Sequence, residues 1–186
     1  NKVSNTGVVA NDTTGVGTAR ESVAAAGYGT DKAIFGYGFS TYLYNQGSVT
    51  GYVSMTNKVS NTGVVSADTA GVGTTRNSLA AAGYGGDKAI FGYGTTGTVT
   101  SITNLVSNTG VVVNQITGVG TARYLLAAAG YNGDKAIFGY GYAMFGGVYT
   151  HVSITNLVSN TGVVASDTTG VGTIRNNLAA AGFSLS

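Results

Sequence analysis

The segment RNSLAAAGYGGDKAIFGYG, residues 76–94, decides the fold of this chain. It holds a run of small residues, glycine-rich breaks and a continuous apolar run, Ala89-Ile-Phe91. Short apolar runs bounded by glycine are typical of β-strands separated by turns. An apolar run without alternation indicates a strand covered on both faces. We therefore predict two strands here, Leu79 to Gly83 and Lys88 to Tyr93.

The same pattern recurs along the chain. DKAIFGYG begins at Asp31, Asp87 and Asp134, and VSNTGVV occurs four times, beginning at Val3, Val59, Val106 and Val158. The arginine of GVGT-x-R lies at Arg20, Arg76, Arg123 and Arg175, always 11 residues before the next aspartate where one follows (20 to 31, 76 to 87, 123 to 134). Periods of about fifty residues indicate propellers, solenoids or arrays.

We interpret residues 1–186 as a single repeat domain. Its complete units are 21–76, 77–123 and 124–175, and its partial units are 1–20 and 176–186. In the second unit two further strands are expected, Val99 to Ser107 and Gly110 to Val113. The insertions that make the units differ in length all follow GYG. A constant frame thus carries variable loops.

One alternative concerns the R-x-x-L-A-A-A run, since alanine is the best helix former. Thr18 and Glu21 resemble a capping box in the first copy, but Asn77, Tyr124 and Asn176 replace the glutamate elsewhere. The main prediction is therefore an all-β fold. A β-solenoid or a strand-helix repeat array is the alternative.

The composition excludes several classes of protein. Of 186 residues, 31 are glycine, none is proline or cysteine, 43% are hydrophobic and 9% are charged, with a net charge of +2. Disorder requires low hydrophobicity and high charge. No basic cluster favours nucleic acid, and no apolar run is long enough to span a membrane. We therefore predict that the protein binds neither nucleic acid nor a membrane.

The order of arginine, small-residue strand, I-F-G-Y-G strand and variable loop resembles the kelch repeat of β-propellers. The resemblance covers essentially the whole chain, although tyrosine splits the paired glycines of that family and its tryptophan is absent. It implies four-stranded blades, and rings need four to eight of them. A homo-oligomer, or membership of a longer chain, is therefore expected. Glycine-rich kelch-like proteins of bacteria and phages favour an extracellular or virion surface.

Residues for catalysis are scarce. His151 is the only histidine and Glu21 the only glutamate, and no nucleophile elbow or complete phosphate loop is present. Asp12, Asp68 and Asp167 recur in a D-T-x-G-V-G segment, which suggests either calcium ligands or, more simply, Asx turns. We predict no enzyme, no metal and no cofactor.

Two sets of charged residues recur with the repeat. The four arginines are expected to bridge carbonyls or to pair with aspartate between units, with ligand binding as the alternative. Asp31, Asp87 and Asp134 each precede a lysine. These Asp-Lys pairs form either a ring of charges around a mouth or solvated turns ahead of buried strands.

Aromatic residues concentrate in the first and third insertions. A rigid frame that presents variable loops is typical of binding proteins, and tyrosine is a favoured contact residue. The alternative is that these residues cover a strand edge. The predicted ligand-binding residues are Phe39, Tyr42, Tyr44, Asn45, Gln46, Tyr52, Tyr142, Phe145, Tyr149 and His151.

The predicted function is a non-enzymatic interaction scaffold that presents aromatic loops to a protein or a glycan. The alternative is a structural repeat protein that assembles into a larger oligomer, a fibre or a virion component. One fold hosts many functions, so the fold alone does not choose between them.

Overall fold

The computed structural model describes residues 1–41, 43–44, 47–48 and 51–182. All regular structure in these residues is β, without a helix. The three Ala-Ala-Ala-Gly-Tyr runs of the complete units are strands, which confirms the all-β prediction against the strand-helix alternative.

Each complete unit contributes a pair of five-residue strands and a four-residue strand. The first insertion adds strands of two residues and the third adds strands of four residues. The strands of the described residues are β1 (Ala24–Tyr28), β2 (Lys32–Gly36), β3 (Phe39–Ser40), β4 (Leu43–Tyr44), β5 (Gly47–Ser48), β6 (Gly51–Tyr52), β7 (Thr56–Val59), β8 (Ala80–Tyr84), β9 (Lys88–Gly92), β10 (Thr103–Val106), β11 (Arg123–Tyr124), β12 (Ala127–Tyr131), β13 (Lys135–Gly139), β14 (Tyr142–Phe145), β15 (Val148–His151) and β16 (Thr155–Val158).

Each complete unit forms one three-stranded antiparallel sheet, with the Lys-Ala-Ile-Phe-Gly strand in the centre. The sheets are β1-β2-β7 in unit 1 (residues 21–76), β8-β9-β10 in unit 2 (77–123) and β12-β13-β16 in unit 3 (124–175). The central strand of unit 2 is covered on both faces, because Ala89, Ile90 and Phe91 are fully buried. This confirms the interpretation of its apolar run.

The fourth strand expected at Gly110 to Val113 is not a strand. The segment instead forms isolated bridges with β10, Val112 to Val106 and Ile116 to Thr103. Two residues lie between the bridged positions on β10 and three lie between them on the opposing segment, so one residue bulges out. The Asn104 Nδ2 atom donates to the Val113 oxygen at 3.0 Å within this bulge. Each sheet therefore has three strands and a bulged flank, rather than four strands.

The sheets stack through their small-residue strands. β8 lies between β1 and β12. A Cβ atom at Gly130 would lie 3.3 Å from the Gly83 oxygen, so glycine permits this close approach. Backbone hydrogen bonds join successive units at both ends of these strands, as from Gly29 N to Asp87 O (2.7 Å) and from Ser78 N to Ser22 O (3.1 Å). The small alanine side chains thus allow the neighbouring strands to pack closely.

The hydrophobic core lies between the sheets, in two layers. Ile34 of unit 1 and Phe91 of unit 2 belong to the first layer, and Ile90 of unit 2 and Phe138 of unit 3 belong to the second. Successive side chains of a strand point to opposite faces. Each central strand therefore directs its isoleucine toward the following unit and its phenylalanine toward the preceding one.

Candidate binding surface

All three insertions leave the stack at equivalent positions. The residue after each arginine bridges the residue after GYG: Glu21 to Phe39, Asn77 to Thr95, and Tyr124 to Tyr142. A Cβ atom at Gly97 of the second insertion would lie 3.8 Å from the Tyr52 hydroxyl of the first. The constant frame therefore brings the variable residues to one edge of the stack.

The third insertion is a β-hairpin, formed by β14 and β15. Gly146 and Gly147 connect its strands with φ values of +56° and +84°. Positive φ at both central residues is the geometry of a type I′ turn, which suits the twist of a hairpin and favours glycine. β11 extends this hairpin to a three-stranded sheet beside the main stack.

This three-stranded sheet carries a cluster of four rings on one face. Tyr142 stacks on Tyr149 with ring centroids 5.6 Å apart and an angle of 13° between the ring planes. His151 lies 4.8 Å from Tyr142, and Tyr124 meets Tyr142 edge-on at 5.7 Å. Burial raises the pKa of Tyr124, and the neighbouring Tyr149 and Tyr142 raise it further. We call Tyr124, Tyr142, Tyr149 and His151 the aromatic platform.

The tip of the hairpin is apolar and exposed. Phe145 is 51% exposed and Val148 is 67% exposed, next to the exposed Met144. Single exposed apolar residues are ordinary, whereas a contiguous group rimmed by polar residues marks an interaction site. The third insertion thus unites predicted binding residues Tyr142, Phe145, Tyr149 and His151 on one hairpin.

The first insertion carries a smaller aromatic pair. Phe39 on β3 faces Tyr52 on β6, with ring centroids 5.4 Å apart and planes at 78°. Both rings are half-buried. Of the other predicted residues in this loop, Tyr42, Asn45 and Gln46 lie outside the described residues, and Tyr44 is described only as part of β4.

The arginines hold the units together. Arg123 is fully buried and donates from Nε to the Tyr140 oxygen (2.8 Å), from Nη1 to the Thr121 oxygen (3.0 Å) and from Nη2 to Asn156 Oδ1 (2.7 Å). Its guanidinium carbon lies 4.2 Å from the ring centroid of Tyr93 in its own unit, whereas Tyr140 and Asn156 belong to unit 3. Every donor group of the fork therefore has a partner within the protein.

The same arrangement occurs at the other junctions. Arg76 lies 4.2 Å from the Tyr37 ring centroid and donates to the Tyr93 oxygen and to Asn104 Oδ1. Arg20 donates to the Met55 oxygen and to Asn57, and Arg175 lies 4.3 Å from the Tyr140 ring centroid. We call this alternation of Tyr37, Arg76, Tyr93, Arg123, Tyr140 and Arg175 the arginine spine.

The tyrosines of the spine adopt an unusual backbone conformation. Tyr37, Tyr93 and Tyr140 have φ values of +61°, +65° and +63°. A bulky residue in this region carries strain of about 1–3 kcal/mol, which the surrounding structure must offset. Tyr93 is fully buried, and its hydroxyl donates to the Val119 oxygen at 3.2 Å. Sequence reasoning assigned this tyrosine only the end of a strand, although its constant distance of 17 residues from the arginine was a usable signal (76 to 93, 123 to 140).

The recurring aspartates join units. Asp167 of unit 3 accepts hydrogen bonds from the backbone nitrogen (2.9 Å) and the hydroxyl (2.6 Å) of Thr121 in unit 2. Burial alone would raise the pKa of Asp167, but the hydrogen bonds from Thr121 and Asn156 outweigh it and hold the pKa below its usual value. The bonds reach a distant threonine, so the carboxylate is an inter-unit clasp rather than an Asx turn.

Unit 2 has Gln115 at the clasp position, and its Oε1 atom accepts from the nitrogen and the hydroxyl of Thr74, both at 2.7 Å. Asp68 accepts from Thr18 in the same way. The glutamine therefore preserves the clasp but not its charge. Arg123 has Asp167 Oδ1 at 4.0 Å, whereas no carboxylate oxygen of the described residues lies within 4.0 Å of Arg76.

The Asp-Lys pairs lie at the opposite edge, in the turns of the hairpins. Each aspartate accepts from the neighbouring lysine: Asp31 from Lys32 (2.5 Å), Asp87 from Lys88 (2.6 Å) and Asp134 from Lys135 (3.0 Å). These bonds lower the pKa of each aspartate. The turns border a groove of about 380 Å³ that also contains Tyr28, Tyr84 and Tyr131.

Metal ligands do not cluster in the residues that the structure describes: no three of His, Asp, Glu or Cys lie close enough to hold an ion. Within the same residues no helix is long and apolar enough to cross a membrane. No family model and no curated protein matches the sequence.

Proposed function

We propose that this protein is a non-enzymatic binding scaffold whose third insertion contacts another protein through the aromatic platform and the hairpin tip. The observation that carries the proposal is the stacked pair Tyr142 and Tyr149 on one face of a hairpin whose tip carries the exposed Phe145 and Val148 on the other face. Tyrosine and apolar anchors are enriched in the centres of protein interfaces.

The hairpin is suited to binding because its rings are partly fixed before a ligand arrives. Tyr142 packs against Tyr149, His151 and Tyr124, so its rotamers are restricted. A preorganised side chain loses less conformational entropy on binding. The arginine spine and the clasps hold the underlying sheet, which supports the proposal that affinity resides in the hairpin.

A selection from a random peptide display library tests this function. The 186-residue chain is immobilised for the selection. The affinity of the selected peptides is then measured for the double variant Tyr142→Ser/Tyr149→Ser and for the single variant Phe145→Ser. We expect a loss of binding of about tenfold or more, because buried interface aromatics contribute roughly 2 kcal/mol or more each.

The matched control is Thr96→Ala in the second insertion, which has no aromatic residue and should leave binding unchanged. Peptides that bind the double tyrosine variant as strongly as the unaltered chain would contradict the proposal. A parallel glycan array examines the other ligand class: platform-dependent glycan binding without peptide binding would replace a protein ligand by a carbohydrate.

We further propose that the stacked sheets are blades of a kelch-like β-propeller. Support comes from the small-residue strands lying side by side in the order β1, β8 and β12. The innermost strands of a propeller meet near a crowded axis, where small side chains fit. Electron microscopy of the particle tests this proposal: a ring with radial sheets supports it, and a straight stack favours a solenoid.

A structural role is the second candidate. The two internal junctions use the same arginine, clasp and core contacts, so the unit interface is reusable. Such an interface supports assembly into an oligomer, a fibre or a virion component.

A further inference from the structure

Each internal junction has the same knob and socket. Phe91 of unit 2 packs on Gly36 of unit 1, and Phe138 of unit 3 packs on Gly92 of unit 2. A Cβ atom at Gly36 would lie 2.8 Å from the Phe91 ring, and one at Gly92 would lie 2.6 Å from the Phe138 ring. Both phenylalanines are fully buried. The knob is therefore the phenylalanine, and the socket is the space above the glycine.

The outer face of unit 3 has a socket without a knob among the described residues. Gly139 occupies the position of Gly36 and Gly92, and a Cβ atom there would approach Thr155 Cγ2 at 3.2 Å and no described phenylalanine. Beside it lies an apolar cavity of about 110 Å³. It is lined by Ala127, Ile137 and Tyr140 of unit 3, and on its other side by Leu178 and Ala180 of the C-terminal segment. A dry apolar cavity of this order accepts an aromatic ring.

The outer face of unit 1 has a knob that packs on no glycine of the described residues. Phe35 is 39% exposed, whereas its equivalents Phe91 and Phe138 are 0% exposed. Val23 on the same face is also 39% exposed, and its equivalents Leu79 and Leu126 are almost fully buried. The two outer faces are therefore the complementary halves of the junction that occurs twice inside the chain.

We propose that copies of this chain associate head to tail, with Phe35 of one copy in the socket beside Gly139 of the next. A second copy fits this face because the contact would continue the internal junctions: Phe35 lies on a Lys-Ala-Ile-Phe-Gly strand identical in sequence to those of Phe91 and Phe138. A heterologous interface of this kind produces rings or open filaments. The proposal deepens the structural role and does not depend on the aromatic platform.

Docking requires two segments to move aside: 176–182 of the receiving copy and 1–20 of the docking copy. Residues 1–17 and 179–182 are exposed and contribute no strand. β1 of the docking copy carries the same Ala-Ala-Ala-Gly sequence as the displaced residues 179–182. The displaced segment is thus replaced by a strand of the same sequence.

The hydrogen bonds of the displaced segment are also replaced by equivalent ones. Thr173 of the receiving copy takes the place of Thr18 at Asp68, and Arg175 takes the place of Arg20 at Asn57. The bond from Lys2 Nζ to the Thr62 oxygen is lost. Burial of Phe35 and Val23 offsets this loss, because removing apolar surface from water is the main favourable contribution to association.

Sedimentation velocity over a wide concentration range tests the proposal. We expect the unaltered chain to form species larger than one chain as its concentration rises. Phe35→Glu removes the knob and Gly139→Val fills the socket, so each should weaken association about tenfold or more. Phe35→Ser and Gly139→Ala are milder second variants, and thermal melting followed by circular dichroism establishes that each variant is folded.

A mixture of the variants Phe35→Glu and Gly139→Val tests most directly whether the two outer faces bind each other. Phe35→Glu keeps its socket and Gly139→Val keeps its knob, so an equimolar mixture should form dimers and nothing larger. Phe145→Ala is the matched control, because it removes an exposed phenylalanine of the hairpin and should retain full association. Its loss of peptide binding with retained association would separate the two proposals.

Three results would overturn the inference. The first is an unaltered chain that stays monomeric at every concentration. The second is association that persists unchanged in both the knob and the socket variants. The third is a mixture of the two variants that forms no dimer, since that outcome would show that the two faces do not meet.

Discussion

At the scale of single residues, the junctions depend on a buried cation that has no solvent contact. Arg76 and Arg123 are fully buried, and burial lowers the pKa of both guanidinium groups. Arginine nevertheless remains charged at neutral pH. Carbonyl and amide oxygens and a tyrosine ring stabilise each charge, which explains why the planar fork of arginine is used rather than lysine.

The uncharged clasp in unit 2 predicts that a substitution of Gln115 by aspartate stabilises the protein. Gln115→Asp should raise the free energy of unfolding at pH 7 by about 0.5–1 kcal/mol, because it places a carboxylate near Arg76. The pKa values of Asp68 and Asp167 are lowered in the folded protein. The added stability of the Gln115→Asp variant should therefore be present above a pH of about 4, which is the pKa of aspartate in the unfolded chain. It should be lost as the pH falls through the lower pKa of the folded state.

Urea unfolding between pH 3 and 7 measures this effect. The reverse exchange in unit 3, Asp167→Gln, is the matched control and should lower stability over the same upper part of the range. Equal stability of Gln115→Asp and the unaltered chain at pH 7 would show that the clasp carboxylate does not act on the arginine.

The buried phenol of Tyr93 predicts that the stability of the fold decreases at alkaline pH. Burial raises the pKa of its phenol to about 12, although Arg123 opposes the shift. The contribution to stability is thus complete below the unfolded pKa of about 10 and is lost as the pH rises from there toward 12. Tyr93→Phe should remove part of this loss, and at pH 7 it should lower stability by about 1 kcal/mol because the bond to Val119 is absent. Urea titrations at pH 7 and pH 11 give the comparison, and an unchanged alkaline slope would contradict it.

At the scale of elements, identical strands differ in what surrounds them. β9 and β13 both read Lys-Ala-Ile-Phe-Gly, yet Gly92 lies under the Phe138 ring and Gly139 lies beside the unfilled cavity. Gly92→Ala should therefore lower the free energy of unfolding by about 1–3 kcal/mol through overpacking. Gly139→Ala is the matched control and should lower it by less. Chemical denaturation of the two variants tests this, and a larger loss for Gly139→Ala would contradict the knob-and-socket packing.

The positions of most strands could be predicted from the sequence, whereas few of the contacts between them could. The glycine breaks and the apolar run located the strand pairs to within one residue, because these signals are local. The expected strand at Gly110 to Val113 was wrong, because a one-residue bulge depends on side chains such as Asn104 that complete the ladder. The loop aromatics were selected from the insertions, but the participation of Tyr124 depends on pairing between β11 and β14 and could not be read from spacing.

At the scale of the whole molecule, the main sheets of the described residues form a row in which the sheet of unit 2 lies between those of units 1 and 3. Stability in such a row is approximately a sum of unit and interface contributions. Arg123→Lys should therefore weaken the junction between units 2 and 3 more than the junction between units 1 and 2. Hydrogen exchange should show faster exchange in β13 and β16 than in β2 and β7. Arg76→Lys is the matched variant and should reverse this order, whereas uniform acceleration in both would contradict a row of separable junctions.

The central claim is that the arginine spine holds the fold and that the exposed aromatic residues are available for binding. Urea unfolding of Arg123→Lys and Tyr149→Ser, compared with the unaltered chain, tests it most directly. We predict a loss of about 3 kcal/mol for the arginine variant, which leaves buried polar partners unpaired, and a loss below about 1 kcal/mol for the exposed tyrosine. The reverse order would show that the aromatic platform is a structural cover and would contradict its role as the binding surface.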